Sequence, residues 1–207
     1  MDAVCVCRFS DAPLRRIARN GIVIAKKTEK RGNAMECRPA KTEDLPQLKE
    51  MYRRLIERMY DRNICIWDEV YPCEFFREDI EQGRLYVLTD REEITAAFAL
   101  CDANGGAGAV QWENAAARAV YIDRLGVNVD HAGKGVGSAA LQWAAVLAVQ
   151  RGAQYLRLFV VDCNEPAIRL YLKNGFRRAG GVYDEVIDED LVLRELGLEK
   201  KLDDMQR

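Results

Sequence analysis

The spacing of apolar positions changes several times along the chain, and each change marks an element. Glu36 to Pro39 reads as a short opening strand. Thr42, Glu43 and Asp44 then open an amphipathic helix to about Met59, with Leu48, Met51, Tyr52 and Leu55 on one face. Asp61-Arg62-Asn63 breaks it, and a loop and second helix run on to Gly83. Leu85 to Thr89, Ile94 to Cys101 and Ala119 to Val127 are rich in β-branched and aromatic residues and predict a meander of strands, turning first at Asp90-Arg91-Glu92. Between the last two, Ala103 to Ala117 is a long loop, flexible by composition and placed to border a binding site. Helix formers follow from Ala139 to Ala148, then an apolar strand, Tyr155 to Val161, and a short helix capped by Asn164. Phe176 should begin another strand, and Asp188 to Leu193 should supply the last.

Between the strand at Ala119 and the helix at Ala139 lies HAGKGVGS, with glycines at alternate positions: Gly133, Gly135 and Gly137. A tight strand-to-helix turn leaves the first N–H groups of the helix without intrahelical partners, and glycine lets a bulky anion approach them. The expectation is a phosphate cradle. Two common nucleotide loops fail on spacing. G-x-x-x-x-G-K-[ST] lacks its upstream glycine, and G-x-G-x-x-G counted from Gly133 ends on Ser138.

The run from Ala132 to Gly137, A-G-K-G-V-G, resembles the pyrophosphate loop of the GNAT acetyltransferase superfamily, roughly [QR]-x-x-G-x-[GA], with alanine in place of the opening Gln or Arg. A second signature supports it. In DCNEPAIRLYLKNGFRRAG, the residues Asn164, Ala167, Leu170, Tyr171, Gly175 and Phe176 match the family's capped helix ending in Gly-Phe. Each also has a local reason, since Asn164 suits an N-cap, Pro166 the first turn and Gly175 the left-handed position after a helix. The resemblance covers Met35 to about Leu198.

The resemblance implies an α/β (α+β) fold with a mixed, mostly antiparallel central sheet, helices on both faces, and two strands, ending at Val127 and Val161, that splay to hold acyl-CoA. It implies acetyl-CoA as co-substrate along Leu125, Gly126 and Val127, and around Gly133, Lys134, Gly135, Val136, Gly137, Ser138 and Asn164. The Val127 N–H becomes the oxyanion donor. It also places Tyr171 beside the CoA sulfur, where a tyrosine, protonated at neutral pH, serves as general acid. The segment between the first two helices commonly shapes the acceptor pocket, making Trp67, Asp68, Glu69 and Tyr71 candidates. An edge-packing aromatic cluster is an equal reading of them. Asp123, a charge within an apolar strand, is the candidate base, or else is paired with Arg124. With His131 the single histidine, read as a solvent-facing loop residue, no Ser-His-Asp set suggests a covalent route, so direct attack is expected.

Composition narrows this further. The 207 residues, 49% hydrophobic and 31% charged, suit one soluble domain over 35–198, with a basic extension at 1–34 and a charged tail at 199–207. The extension holds three acidic residues and reads as an upstream start or strand-like arm more readily than as a transit peptide. A net charge of −2 gives nucleic acid no support as a partner, and no apolar run reaches membrane-spanning length. The seven cysteines lack C-x-x-C spacing and read as reduced cytoplasmic thiols, with no metal site. The favoured function is acetyl transfer to a primary amine of a small molecule, with a homodimer left open. A protein or peptide N-acetyltransferase and a silent acyl-CoA-binding module are the alternatives.

Overall fold

The computed structural model describes residues 35–187, 189 and 191–202, so the expectations for 1–34 and for the end of the tail lie outside the described residues. Strand β1 (Glu36–Pro39) leads through a 3-10 turn into helix α1 (Leu45–Tyr60), and a second 3-10 turn precedes the short α2 (Phe76–Glu81). Then come β2 (Leu85–Asp90), β3 (Glu93–Cys101), β4 (Ala119–Val127), α3 (Val136–Gln150), β5 (Tyr155–Val161) and α4 (Glu165–Lys173). The chain closes with β6 (Arg177–Arg178), β7 (Tyr183–Val186) and β8 (Val192–Lys201). In space the strands run β1-β2-β3-β4-β5-β8-β6, with β7 also on β8. Every described pairing is antiparallel except β4 with β5, the pair joined by the α3 crossover.

Alternation along the central strands divides the core in two. Leu88, Ala96, Phe98, Leu100 and Ile122 face α3 and α4, whereas Val87, Ala97, Ala99 and Tyr121 face α1 and α2. Helix α3 lies close on its face because four of its six buried positions are alanines, Ala140, Ala144, Ala145 and Ala148. On the other face α1 buries Leu45, Leu48, Met51, Tyr52 and Ile56, a stripe at helical spacing.

Three expectations are corrected. The closing strand is β8, starting four residues later than expected and absorbing 199–201 of the supposed tail, while the strand after Phe176 is only two residues long. Gly197 lies within β8 because the Trp112 ring leaves a Cβ there only 3.0 Å of room. The loop 103–117 is not loose. Its Trp112 is buried, with the indole N–H donating to Ala107 O, and residues 111 and 180 form an isolated bridge. The buried Arg157 guanidinium covers the Trp112 ring at 4.5 Å, donates to Asn114 O and pairs with Glu199, whose other oxygen accepts from Glu113 N. Composition misled because an aromatic anchor and a buried charge outweigh glycine content.

Candidate active site

The site begins where β4 and β5 part. Their parallel register covers only Ala119–Ile122 against Tyr155–Leu158. Beyond it β4 continues along β3 to Val127, and β5 continues along β8 to Val161. The facing edges from Asp123 and Phe159 onward therefore have no ladder to each other, leaving backbone groups free for a ligand in the fork. Leu125, Gly126 and Val127 lie on the β4 side of that fork.

A bulge sharpens it. Arg124 has φ +52°, and the β3–β4 register shifts there. As a result Asp123 and Arg124, though consecutive, both turn toward the α1–α2 face, while Leu125 returns to the α3 face. Tyr52 Oη donates to Arg124 O at 2.5 Å, and the same ring occupies the space a Cβ at Gly126 would need, 2.6 Å away. Gly126 thus has a packing reason beside its expected ligand contact. The Asp123 oxygens accept from Arg124 N at 2.8 Å and Arg124 Nη1 at 2.9 Å. Arg124 in turn pairs with the wholly buried Asp79 of α2.

At the mouth of the fork is the turn into α3. Gly133 and Gly135 have φ +77° and +85°, and a Cβ on either would meet nothing within 4 Å. No side chain caps the helix, whose first turn contains Val136, Gly137 and Ser138. An open left-handed turn beneath uncapped N–H donors fits a pyrophosphate. Lys134 is exposed beside it. Gly137 differs from its neighbours, because a Cβ there would lie 2.9 Å from Leu170, so its smallness lets α4 approach. Asn174 Nδ2 donates to Ser138 Oγ at 3.0 Å, tying the same helices together. His131 is not solvent-facing: it is largely buried, with Nε2 3.2 Å from Glu93 Oε2, and this helps fix the turn. Replacing Gly135 with valine should weaken acetyl-CoA binding at least tenfold in calorimetry, since a β-branched residue resists this φ and intrudes on the anion. Gly137→Ala should mainly lower the melting temperature.

Helix α4 carries the remaining candidates. Asn164 Oδ1 caps Ala167 N at 3.3 Å. Tyr171 is 7% exposed, its ring 5.8 Å from that of Phe176, and its hydroxyl has no hydrogen-bond partner among the described residues. Burial, reinforced by the nearby Asp123 charge, pushes its phenol above the ordinary range, so it stays protonated.

The acceptor candidates separate. Tyr71 lies between Trp67 and Phe75 and feels the charges of Asp123 and Arg124, which brings it close to that pair. Trp67 lies tilted against Tyr52, with ring centroids 5.8 Å apart, so the aromatic cluster and the ring beneath Gly126 are one structure. Asp68 is exposed and holds the turn by accepting from Val70 N and Tyr71 N, and Glu69 is exposed. Two acidic residues that the sequence reading missed stand on the same face as Asp123: Glu185 of β7 and Glu195 of β8. The only signal for them was alternation along β7 and β8, which charges and Gly197 obscure.

With this geometry in place, the comparisons are decisive for the family. A profile described as the Acetyltransferase (GNAT) family matches residues 49–176. The chain belongs to the GNAT acetyltransferase family. It is 33% identical over 107 residues to YwnH of Bacillus subtilis (strain 168), provisionally named a phosphinothricin acetyltransferase; the match covers 52% of this chain and 61% of that relative. The chain thus spans about three-fifths of that relative's length. A GNAT-family acetyltransferase from Streptococcus agalactiae has the same fold, with TM-score 0.69 and 17% identity over 81% of this chain and 95% of its own. YncA of Salmonella typhimurium, solved with its cofactor acetyl-CoA, superposes with TM-score 0.58 and 20% identity, covering 84% and 98%. Among the described residues no helix is long and apolar enough to cross a membrane, and no His, Cys, Asp and Glu group could hold a metal.

Proposed function

We propose that the chain transfers an acetyl group from acetyl-CoA directly to a primary amine of a small cationic molecule. The observation that carries this reading is the β4–β5 fork, with an open, uncapped helix N-terminus at its mouth and the largely buried Tyr171, which feels the Asp123 charge, near it. The two glycines with positive φ and the first turn of α3 would bind the pyrophosphate, and the unpaired β4 edge at Leu125–Val127 would bind the pantetheine arm. Bound acetyl-CoA supplies the activated acetyl group. The Val127 N–H would steady the oxyanion and Tyr171 would hold the proton for the departing sulfur, while Asp123 stands as a candidate base. A small cationic acceptor is supported by Asp123 and Glu185 on one face, with Trp67 and Tyr71 as an aromatic rim. The relative named for phosphinothricin acetylation is in keeping with a small molecule that carries a primary amine.

Thermal-shift titration with acetyl-CoA, CoA, ATP and NAD in parallel tests the cofactor. A ligand at about a hundred times its Kd stabilises by roughly 2.7 kcal/mol, enough to read. A shift with acetyl-CoA and CoA alone is expected, and a shift only with ATP or NAD would overturn the reading. Thiol release with peptides but not with small amines would transfer the assignment to protein acetylation.

A further inference from the structure

We propose that Glu195, on β8, accepts the proton that the acceptor amine must lose before attack, a role that rests on the acetyltransferase reading above. The register fixes its place. Glu195 lies opposite Val161, the last residue of β5, and opposite Tyr183 of β7, so strands hold its backbone on both sides. Its side chain shares a face with Gly197, which packs under Trp112, and with Phe159 and Tyr183, whose rings are 5.8 Å apart. That is the α1–α2 face, where Asp123 also lies. Tyr171 packs in the core on the other face. The fork between β4 and β5 separates the two, so an acetyl thioester lying in it would meet an amine from the carboxylate side and the phenol from the other.

Asp123 is less suited to the task, because Arg124 engages both of its oxygens. The Glu195 carboxyl group has no ion pair or hydrogen bond to another described residue. The groups around it are Tyr183, its partner in β7, and the charges of Glu185 from β7 and Asp123 from β4; Arg124, the partner of Asp123, and Tyr71 lie next to that carboxylate. Burial, then the charges of Glu185 and Asp123, raises its carboxyl to about 8. A carboxylate with such proton affinity competes for an ammonium proton far better than an ordinary glutamate does.

The protons balance. An incoming ammonium gives one proton to Glu195, which returns it to solvent. The neutral nitrogen bonds to the acetyl carbon as the carbon–sulfur bond breaks, and the Tyr171 phenol protonates the leaving thiolate. The second proton shed by the acylated nitrogen restores the phenol. Acetyl-amine, free CoA thiol and one solvent proton result.

The experiment is thiol release from acetyl-CoA by the full chain between pH 5.5 and 9.5, with 1,4-diaminobutane, L-lysine and phosphinothricin as acceptors. Wild type should show kcat/KM rising with pH to a plateau, with an apparent pKa near 8. Glu195→Gln should lose this limb and about a hundredfold in kcat, with the acetyl-CoA KM unchanged. Glu185→Gln should move the limb to lower pH by removing a neighbouring negative charge. If Glu195→Gln does not fold, Glu195→Asp serves instead: it should keep the limb at reduced kcat, and an unchanged kcat would overturn the proposal. An active wild type whose limb and kcat survive in Glu195→Gln overturns the proposal alone. Wild type that releases no thiol with any of the three amines removes the small-amine reading and, with it, this role.

Discussion

Tyr171→Phe should lower kcat by about a hundredfold or more while leaving the acetyl-CoA KM and the melting temperature nearly unchanged. The expectation rests on what the substitution removes. Phenylalanine keeps the ring that packs edge-on to Phe176 and fills the same core volume, and the lost hydroxyl has no partner among the described residues to be left stranded. A purely structural tyrosine would therefore be silent in both assays. An acid is not, because the thiolate then departs without a proton, and positioned acid help contributes roughly 10²–10⁴-fold. Burial raises the phenol, so no loss of activity from its ionisation should appear up to about pH 9. Single-turnover kinetics with saturating acetyl-CoA would separate chemistry from product release. A rate within twofold of wild type would remove Tyr171 from the mechanism and leave water as the proton source.

The order of elements was legible because the signals were local. The N-cap at Asn164, the left-handed Gly175 and the apolar stripe of α1 follow from a few neighbouring residues, and the structure has each. The roles of the three loop glycines were not separable in the same way. Gly133 and Gly135 are set by backbone conformation and open space, whereas Gly137 is set by Leu170, thirty-three residues away in sequence. Asp123 was visible as an out-of-pattern charge and Arg124 as its possible partner, but the bulge that turns both to one face depends on Tyr52 and Asp79, on α1 and α2. Glu195 was hidden because VLRELGLEKK breaks strict alternation, and the ring that requires Gly197 lies in a loop that composition describes as loose. What the chain withholds as a string is tertiary in origin: charge pairs and ring contacts between distant segments.

The buried Asp79 is the largest such case, and Asp79→Ala should destabilise the fold by about 3–5 kcal/mol, the usual loss when one member of a buried ion network is removed. Asp79 is wholly buried and accepts from Arg84 Nε at 2.5 Å and from Arg124 at 2.9 and 3.2 Å. Its loss leaves two guanidinium groups in a poorly solvated interior. Each keeps one carboxylate, Glu78 for Arg84 and Asp123 for Arg124, which places the expected loss toward the lower end. For a domain of this size that is roughly a 6–12 °C fall in melting temperature. Asp130→Ala, which breaks the exposed pair with Arg54, should leave the unfolding curve in place. A triple change of Asp79, Arg84 and Arg124 to leucine separates stability from function. Matched apolar packing can recover much of a buried network's contribution, so stability should largely return. Activity should not return, since Arg124 holds Asp123 and neighbours Tyr71, both residues of the proposed acceptor site. An Asp79→Ala unfolding midpoint equal to wild type would mean that the two arginines find water or other partners, and that the network does not hold the bulge in place.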